Sequence, residues 1–392
     1  MDGMQWGEAE PARGRATGPQ QGGSDTGLRA RLWAEQAANG LFRRTPVQSA
    51  RQAWPGWLQG MTVALAAGWL TALAAGPSST TLWTLSAVAP GFLALTALRL
   101  AATLMPPQWA PRVRLQDADL PQASLLVALH DEAVMLPQLA SALRAIDYPA
   151  EKLEIMLVLE AHDAATQDAA RTLEADPRFR IVIVPPGGPR TKPRALNYAL
   201  RHCTGEIVVV HDAEDRPHPS QLRAAAESFA GGGPRLACLQ APLNWYNREE
   251  CWLTRQFALE YAAQFHALLP LYNRMGWPLP LGGTSNYFDT AILRRIGGWD
   301  AWNVTEDADL GLRLHRAGYV SGLIEPATME EAPITLRAWI CQRTRWIKGH
   351  AQTVGVHARQ ATAAQPSRIA LALTLGAAVA SALFHLPLIG LG

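Results

Sequence analysis

Between Arg51 and Arg99 the chain carries no Asp, Glu, Lys, Arg or His. A helix that crosses a bilayer needs about 20 largely apolar residues, and these 47 are enough for two. The stretch divides at Gly76-Pro77-Ser78-Ser79, a turn-forming cluster. The pattern predicts two spans, about Trp57–Ala75 and Thr81–Leu98, joined as a tight hairpin. Trp54, Trp57 and Trp83 lie near the span ends, where indoles favour the membrane interface. A buried hairpin in a soluble core is the alternative, although few soluble helices run so far without a charge. A third apolar run, Ile369–Gly392, is interrupted only by His385. It ends on the last residue, so the sequence reads as stopping inside or just after a membrane helix.

From Ala123 to about Glu325 the pattern changes. Short apolar runs at Ala123–Leu129, Leu153–Leu159, Arg180–Val184 and Glu206–His211 read as strands. Between and after them, Leu136–Ile146, Ala164–Ala175, Arg194–His202 and Ser220–Phe229 have helical spacing. This alternation predicts an α/β domain, a largely parallel sheet covered by helices. Ligands of such sheets bind outside the carboxyl ends of the strands.

Composition narrows the picture. Charged residues are 17% of the 392, against a typical ~25%, and hydrophobic residues are 48%. That excludes a disordered chain. A net charge of +2 excludes a nucleic-acid binder relying on a basic field. Cys203, Cys238, Cys251 and Cys341 lie far apart, which argues against a zinc site or a disulfide framework. Asp2, Glu8 and Glu10 with no early apolar core exclude a cleaved signal peptide, and the first ~25 residues read as a disordered tail. Arg29, Arg31, Arg43, Arg44 and Arg51 precede the first span, and Arg99, Arg112 and Arg114 follow the second. Cationic flanks stay on the cytoplasmic side, so the N-terminus and the large middle region are both expected there. Of 35 cationic residues only Lys152, Lys192 and Lys348 are lysine.

Three strand ends carry acids: His130-Asp131-Glu132, then Glu160 with His162-Asp163, then His211-Asp212-Ala213-Glu214-Asp215. The last gathers several carboxylates on one turn, which is costly unless a cation sits there. Oxygen ligands of this kind suit Mg²⁺ or Mn²⁺ shared with substrate phosphates. A solvated acidic turn is the bland alternative.

These residues resemble the family 2 glycosyltransferases, inverting enzymes with a GT-A (Rossmann-like) fold. The resemblance runs from about Ser124 to Gly349. Val127–Ala133 (VALHDEA) is similar to the family's opening V-P-x-x-N-E, with Ala128 for proline and Asp131 for asparagine. Thr191–Leu200 (TKPRALNYAL) resembles Lys-x-x-x-Leu-Asn, and His211–Asp215 falls where the family carries D-x-D. Thr305-Glu306-Asp307 resembles T-E-D, and Gln342 to Trp346 fits Q-x-x-R-W. All five stand in family order.

The resemblance implies a nucleotide-sugar donor, a UDP-sugar, with Asp131, Glu132 and Glu160 lining the nucleotide pocket. Lys192 would lie near the diphosphate or the acid cluster, and Asp212 would contact the ribose or the metal. Glu214 is the best metal ligand, with Asp212 and Asp215 as further candidates. Asp307 would be the base that deprotonates the acceptor hydroxyl, although capping of a helix running to Ala317 explains the same acids. Gly283 and Thr284 resemble the segment lining the sugar and acceptor site, beside Thr305 and Glu306. Gln342, Arg345 and Trp346 share one helix face and would meet the glycan and diphosphate.

The expected layout is a partly disordered cytoplasmic segment (1–50), a transmembrane hairpin (51–104), the GT-A domain (105–335), interfacial amphipathic helices (336–366) and a further membrane helix (367–392). It resembles cellulose-synthase-like and exopolysaccharide synthases, multi-pass in the plasma (inner) membrane. The implied partners are a donor, a glycan or lipid-linked acceptor, membrane lipid and further subunits of a polysaccharide export complex. Single addition to a lipid-linked acceptor, or a non-catalytic nucleotide-sugar-binding subunit, are the alternatives.

Overall fold

The computed structural model describes residues 24–53, 56–359 and 365–383. Helix α1 (Ser24–Arg44) precedes the hairpin of α2 (Gly56–Ala75) and α3 (Pro77–Leu104). The α/β domain then runs β1 (Ala123–Leu129), α4 (Leu136–Arg144), β2 (Leu153–Glu160), α5 (Ala164–Arg171), β3 (Phe179–Val184), α6 (Lys192–Ala199) and β4 (Ile207–His211). It continues with β5 (Arg216–Pro217), α7 (Gln221–Gly231), β6 (Leu236–Gln240), β7 (Leu243–Trp245), α8 (Trp252–Ala263) and α9 (Leu269–Arg274). After these come β8 (Asn286–Asp289), α10 (Thr290–Ile296), α11 (Glu306–Arg316), β9 (Val320–Leu323), β10 (Thr328–Glu330), α12 (Leu336–Ala358) and α13 (Gln365–Leu371).

The main sheet has the order β3-β2-β1-β4-β8-β6-β9, and β8 alone runs against the rest. The four sequence-predicted strands are its parallel half. Of these β1, β2 and β4 are buried on both faces and read as near-continuous apolar runs, whereas β3, at the sheet edge, exposes Arg180 and Ile183. Alternate residues serve opposite cores. Leu126, Met156 and Val208 pack toward α6 and α1, whereas Leu125, Ile155 and Val209 pack toward α4 and α7. A small sheet, β5-β10-β7, sits beyond the carboxyl end of β4.

The hairpin turns where expected, at Gly76, with Pro77 opening α3. Trp69 Nε1 donates to Thr84 Oγ1 at 3.1 Å across the pair. Helix α3 is long and apolar enough to cross a membrane; the apolar parts of the other two expected spans, Val63–Ala75 and Arg368–Leu383, are shorter. Trp54 and the first 23 residues, including the expected tail, lie outside the described residues.

Helix α1 is docked on the domain, with Ala34, Ala37, Ala38 and Leu41 buried. Asn197 on α6 donates to Ala37 O at 3.0 Å and Trp299 O at 2.7 Å. The chain leaving α1 caps a buried acid: Ser49 Oγ and Ala50 N donate to Asp300 at 3.0 and 2.6 Å. Burial, then Asp309, pushes the Asp300 carboxyl up to about 6 in spite of these donors.

A buried polar seam joins α12 to α11 and the loop before it. Asn303 Nδ2 donates to Thr353 Oγ1 at 2.9 Å, and Thr353 Oγ1 lies 3.2 Å from Thr305 Oγ1. Asp309 accepts from Arg313 Nε at 2.7 Å and lies 2.9 Å from His357 Nε2. The helices touch at Gly349, where an added Cβ would stand 2.4 Å from Thr305 Cγ2. Alanine ordinarily favours a helix interior by about 1 kcal/mol over glycine. Here the overlap wins, and Gly349→Ala is expected to destabilise the protein by ~1–3 kcal/mol, read as a lower unfolding midpoint. Gly233→Ala, which meets nothing within 4 Å, should stay within about 0.5 kcal/mol of wild type.

Candidate active site

The acidic turn leaving β4 is fixed from below. Asp215 is fully buried. Its Oδ2 accepts from Asp212 N at 3.0 Å and from Thr284 Oγ1, and lies 2.9 Å from His211 Nδ1. The chain of buried polar groups continues: Ser285 Oγ lies 3.5 Å from His211 Nδ1 and donates to Thr328 Oγ1 at 2.6 Å. Thr328 Oγ1 donates to Gln221 Oε1 at 3.1 Å, which also receives the Tyr287 hydroxyl at 2.5 Å. Asp215 Oδ1, by contrast, is sealed from solvent with no hydrogen-bond partner among the described residues.

Lys192 opens α6 and is buried. Its Nζ donates to Asp212 Oδ1 and, at 2.7 Å, to Gly283 O. A Cβ added to Gly283 would stand 3.3 Å from Asp307 Oδ2. Lys192, Asp212, Gly283 and Asp307 therefore meet at one place, although they come from α6, the turn after β4, the loop before β8 and the start of α11. Thr284 is buried on Asp215. Thr305 is buried against Thr353.

Burial and mutual repulsion hold these carboxyls above their usual range. Burial, then Asp212 and Asp215, raises Glu214 to about 8. Burial, then Asp307, raises Glu306 to about 8, with Lys192 opposing. Burial raises Asp307 to about 6, offset by the Ala308 N–H and by Lys192. Burial raises Glu132 to about 7, with the His130 N–H opposing and Asp212 adding. Asp212 is also raised by burial, against the pull of Lys192. Lys192 goes the other way: burial would lower it, but Asp212 and Glu306 hold its ammonium above the ordinary lysine value.

The remaining candidates are distributed around this centre. Asp131 stands exposed, at φ 58°, with its N–H on Asp163 Oδ2 at 2.8 Å. His130, Asp131 and Asp163 bring their ligand atoms within 4.8 Å of one another. Asp163 is already engaged, since it also caps α5 through Thr166 N at 3.1 Å. Glu160 is turned inward and paired with the fully buried Arg194 at 3.2 Å. Arg345 is exposed on α12. Trp346 packs on Phe257 and Tyr261 of α8, with ring centroids 6.3 and 6.4 Å away. A cleft of about 390 Å³ opens beside Trp346, lined also by Arg343, Ile347, His350 and Ser381.

Three contributors escaped the sequence reading. Arg343 lies over the Trp346 ring at 4.8 Å while its guanidinium grips Glu260. Tyr261 stands between Trp346 and the acids; burial, then Glu330, pushes its hydroxyl well above the usual range. Glu330 on β10 is pushed well above the carboxylate range by burial, then by Asp215, Glu214 and Asp212. In the sequence Arg343 stood inside the Q-x-x-R-W motif and read as part of an amphipathic interfacial helix, and no local signal marked the other two.

A cradle of hard oxygen donors with one ammonium and one carboxylate at a helix start can take a phosphate–metal pair and a hydroxyl to be deprotonated. The chain is similar to known glycosyltransferases. A family model, Glycosyltransferase like family 2, matches residues 121–349. The chain is 30% identical over 266 residues to the beta-monoglucosyldiacylglycerol synthase of Synechocystis sp., covering 66% of this chain and 54% of that one. It is 26% identical over 241 residues to cellulose synthase 1 catalytic subunit [UDP-forming] of Komagataeibacter xylinus, covering 59% and 31%. The chain thus spans about half of the first relative and under a third of the second. Among solved structures, the mannosyltransferase PcManGT from Pyrobaculum calidifontis, in complex with GDP-Man and Mn²⁺, superposes with a TM-score of 0.59 at 24% identity. The match covers 79% of this chain and 89% of that one, and it shows the fold.

Removing the ammonium leaves Asp212 buried without its partner. Lys192→Met is therefore expected to cost ~3–5 kcal/mol of stability, measured by denaturation in detergent. Lys192→Arg keeps the charge but needs room for a planar fork. It should recover part of that stability and little of the activity.

Proposed function

The chain belongs to glycosyltransferase family 2, and from that premise we propose a membrane-embedded inverting enzyme that takes a sugar from a UDP-sugar and extends a β-linked glycan on the cytoplasmic side. The observation that carries this reading is the meeting of Lys192, Asp212, Gly283 and Asp307. Asp307 accepts the proton of the acceptor hydroxyl. The freed oxygen attacks the anomeric carbon from the face opposite the leaving group, the bond to the diphosphate breaks, and configuration inverts. General-base help of this kind contributes roughly 10²–10⁴-fold. Lys192, held by Asp212 and Gly283 O, presents a fixed positive charge beside the leaving diphosphate. Glu132 and Asp131 border the nucleotide, and Glu160 supports that wall through Arg194.

Glu214, Asp212 and Asp215 would hold a Mg²⁺ or Mn²⁺ ion. The fit rests on a donor set made entirely of carboxylate oxygens and on the buried, unpartnered Asp215 Oδ1. Such an ion neutralises charge on the departing diphosphate.

The aromatic wall of Trp346 and Tyr261 and the neighbouring cleft suit an acceptor sugar entering toward Asp307. The membrane reading is supported by α3 and by the arginines flanking the hairpin. A second reading, one sugar added to a lipid acceptor, is favoured by the similarity to a glucosyldiacylglycerol synthase.

Purified protein in lipid, supplied with a panel of UDP-sugars, is expected to transfer one of them, and product sizing separates long chains from a single addition. Asp307→Asn should abolish transfer while donor affinity stays within about twofold; unchanged turnover would remove Asp307 from the role of base. Since the base acts ionised, wild-type kcat/KM should fall as pH drops through about 6.

A further inference from the structure

We propose that Glu330 supplies a carboxylate oxygen to the divalent cation held at the turn after β4, so that the metal site is built from both sheets. The inference rests on the donor–metal reading above and adds a ligand to it.

Strand β10 pairs antiparallel with β5, Thr328 opposite Pro217 and Met329 opposite Arg216. One further step brings Glu330 to the level of Asp215. Side chains on a strand alternate, so Glu330 shares a face with Thr328. Thr328 points to the turn, since its hydroxyl accepts from Ser285 Oγ in the chain running from Asp215 through His211. The backbone of Glu330 is held as well: its carbonyl accepts from Tyr246 N at 3.0 Å.

The side chain is not committed. Glu330 Oε1 is closed to solvent and has no hydrogen-bond partner among the described residues, and Asp215 Oδ1 is in the same condition. Two sealed carboxylate oxygens lacking donors, one on β10 and one on the turn just before β5, are each costly to leave unmatched. A divalent cation satisfies both at once, whereas one lysine already shared between Asp212 and Gly283 O does not. The neighbouring residue shows the contrast. Glu331 is exposed and accepts from the Tyr246 hydroxyl at 2.6 Å.

The test is Mn²⁺ binding to the full chain in detergent with saturating UDP, followed by the loss of the free-ion electron paramagnetic resonance signal. Glu330→Gln keeps the shape and removes the charge. Its Kd for Mn²⁺ should rise at least about tenfold, as should that of Glu214→Ala, while Glu331→Gln matches wild type. A Glu330→Gln protein with a wild-type unfolding midpoint and an unchanged Kd overturns the proposal. So does a variant whose midpoint shifts while its Kd does not, since that is a structural role. If Glu330→Gln does not fold, Glu330→Asp, one methylene shorter, decides: weaker Mn²⁺ binding supports ligation, and equal binding overturns it. Wild type that takes up no Mn²⁺ with UDP removes the donor–metal reading itself, and the inference with it.

Discussion

One buried ammonium stands among many carboxylates. Lys192 is the cation that opposes the raised Glu132, Asp212, Glu306, Asp307 and Glu330. Two unit charges ~4 Å apart near a protein surface interact by about 4 kcal/mol, so a single positive charge cannot offset several ionised neighbours. Burial and this imbalance hold the acids above their usual range, and under the proposed function a divalent cation would make their ionisation favourable. The rest of the domain serves to hold this unfavourable grouping together. Strand β4 delivers the acidic turn, α6 delivers Lys192, and the loop before β8 supplies the Gly283 carbonyl. The seam between α11 and α12 fixes the helix that carries Glu306 and Asp307.

The same seam links the acidic centre to α12. Thr353 and His357 on α12 hold the T-E-D segment, while Trp346, nearer the start of that helix, faces Tyr261 and the cleft. A displacement of α12 would therefore reach both the helix that carries Asp307 and the cleft beside Trp346. The strand of chain between α1 and the hairpin reaches the same region through Asp300.

Much of this was legible in the sequence. The central parallel strands β1, β2 and β4 announced themselves as apolar runs because burial on both faces requires it. Their polar ends then marked the site, since ligands of such sheets gather there. What stayed hidden depends on non-local pairing. Strand β10 has three residues, and nothing local shows that it lies beside β5. The partner of Glu160, Arg194, is one of 32 arginines, and only the fold distinguishes it from a surface charge. Asp215 read as a further candidate ligand behind Glu214, and in the fold one of its oxygens anchors the turn. Helix α1 follows a stretch rich in Gly, Pro, Gln and Ser, and its docking face of small alanines gives a weak periodic signal.

A divalent cation and a nucleoside diphosphate that complete the acidic centre together must each strengthen the other's binding. The affinity of the wild-type chain for UDP, measured by calorimetry at neutral pH with Mn²⁺ and again with a chelator, tests it most directly. UDP is expected to bind at least about tenfold more tightly with Mn²⁺, a coupling of ~1.4 kcal/mol or more. Equal UDP affinity in the two conditions would contradict it.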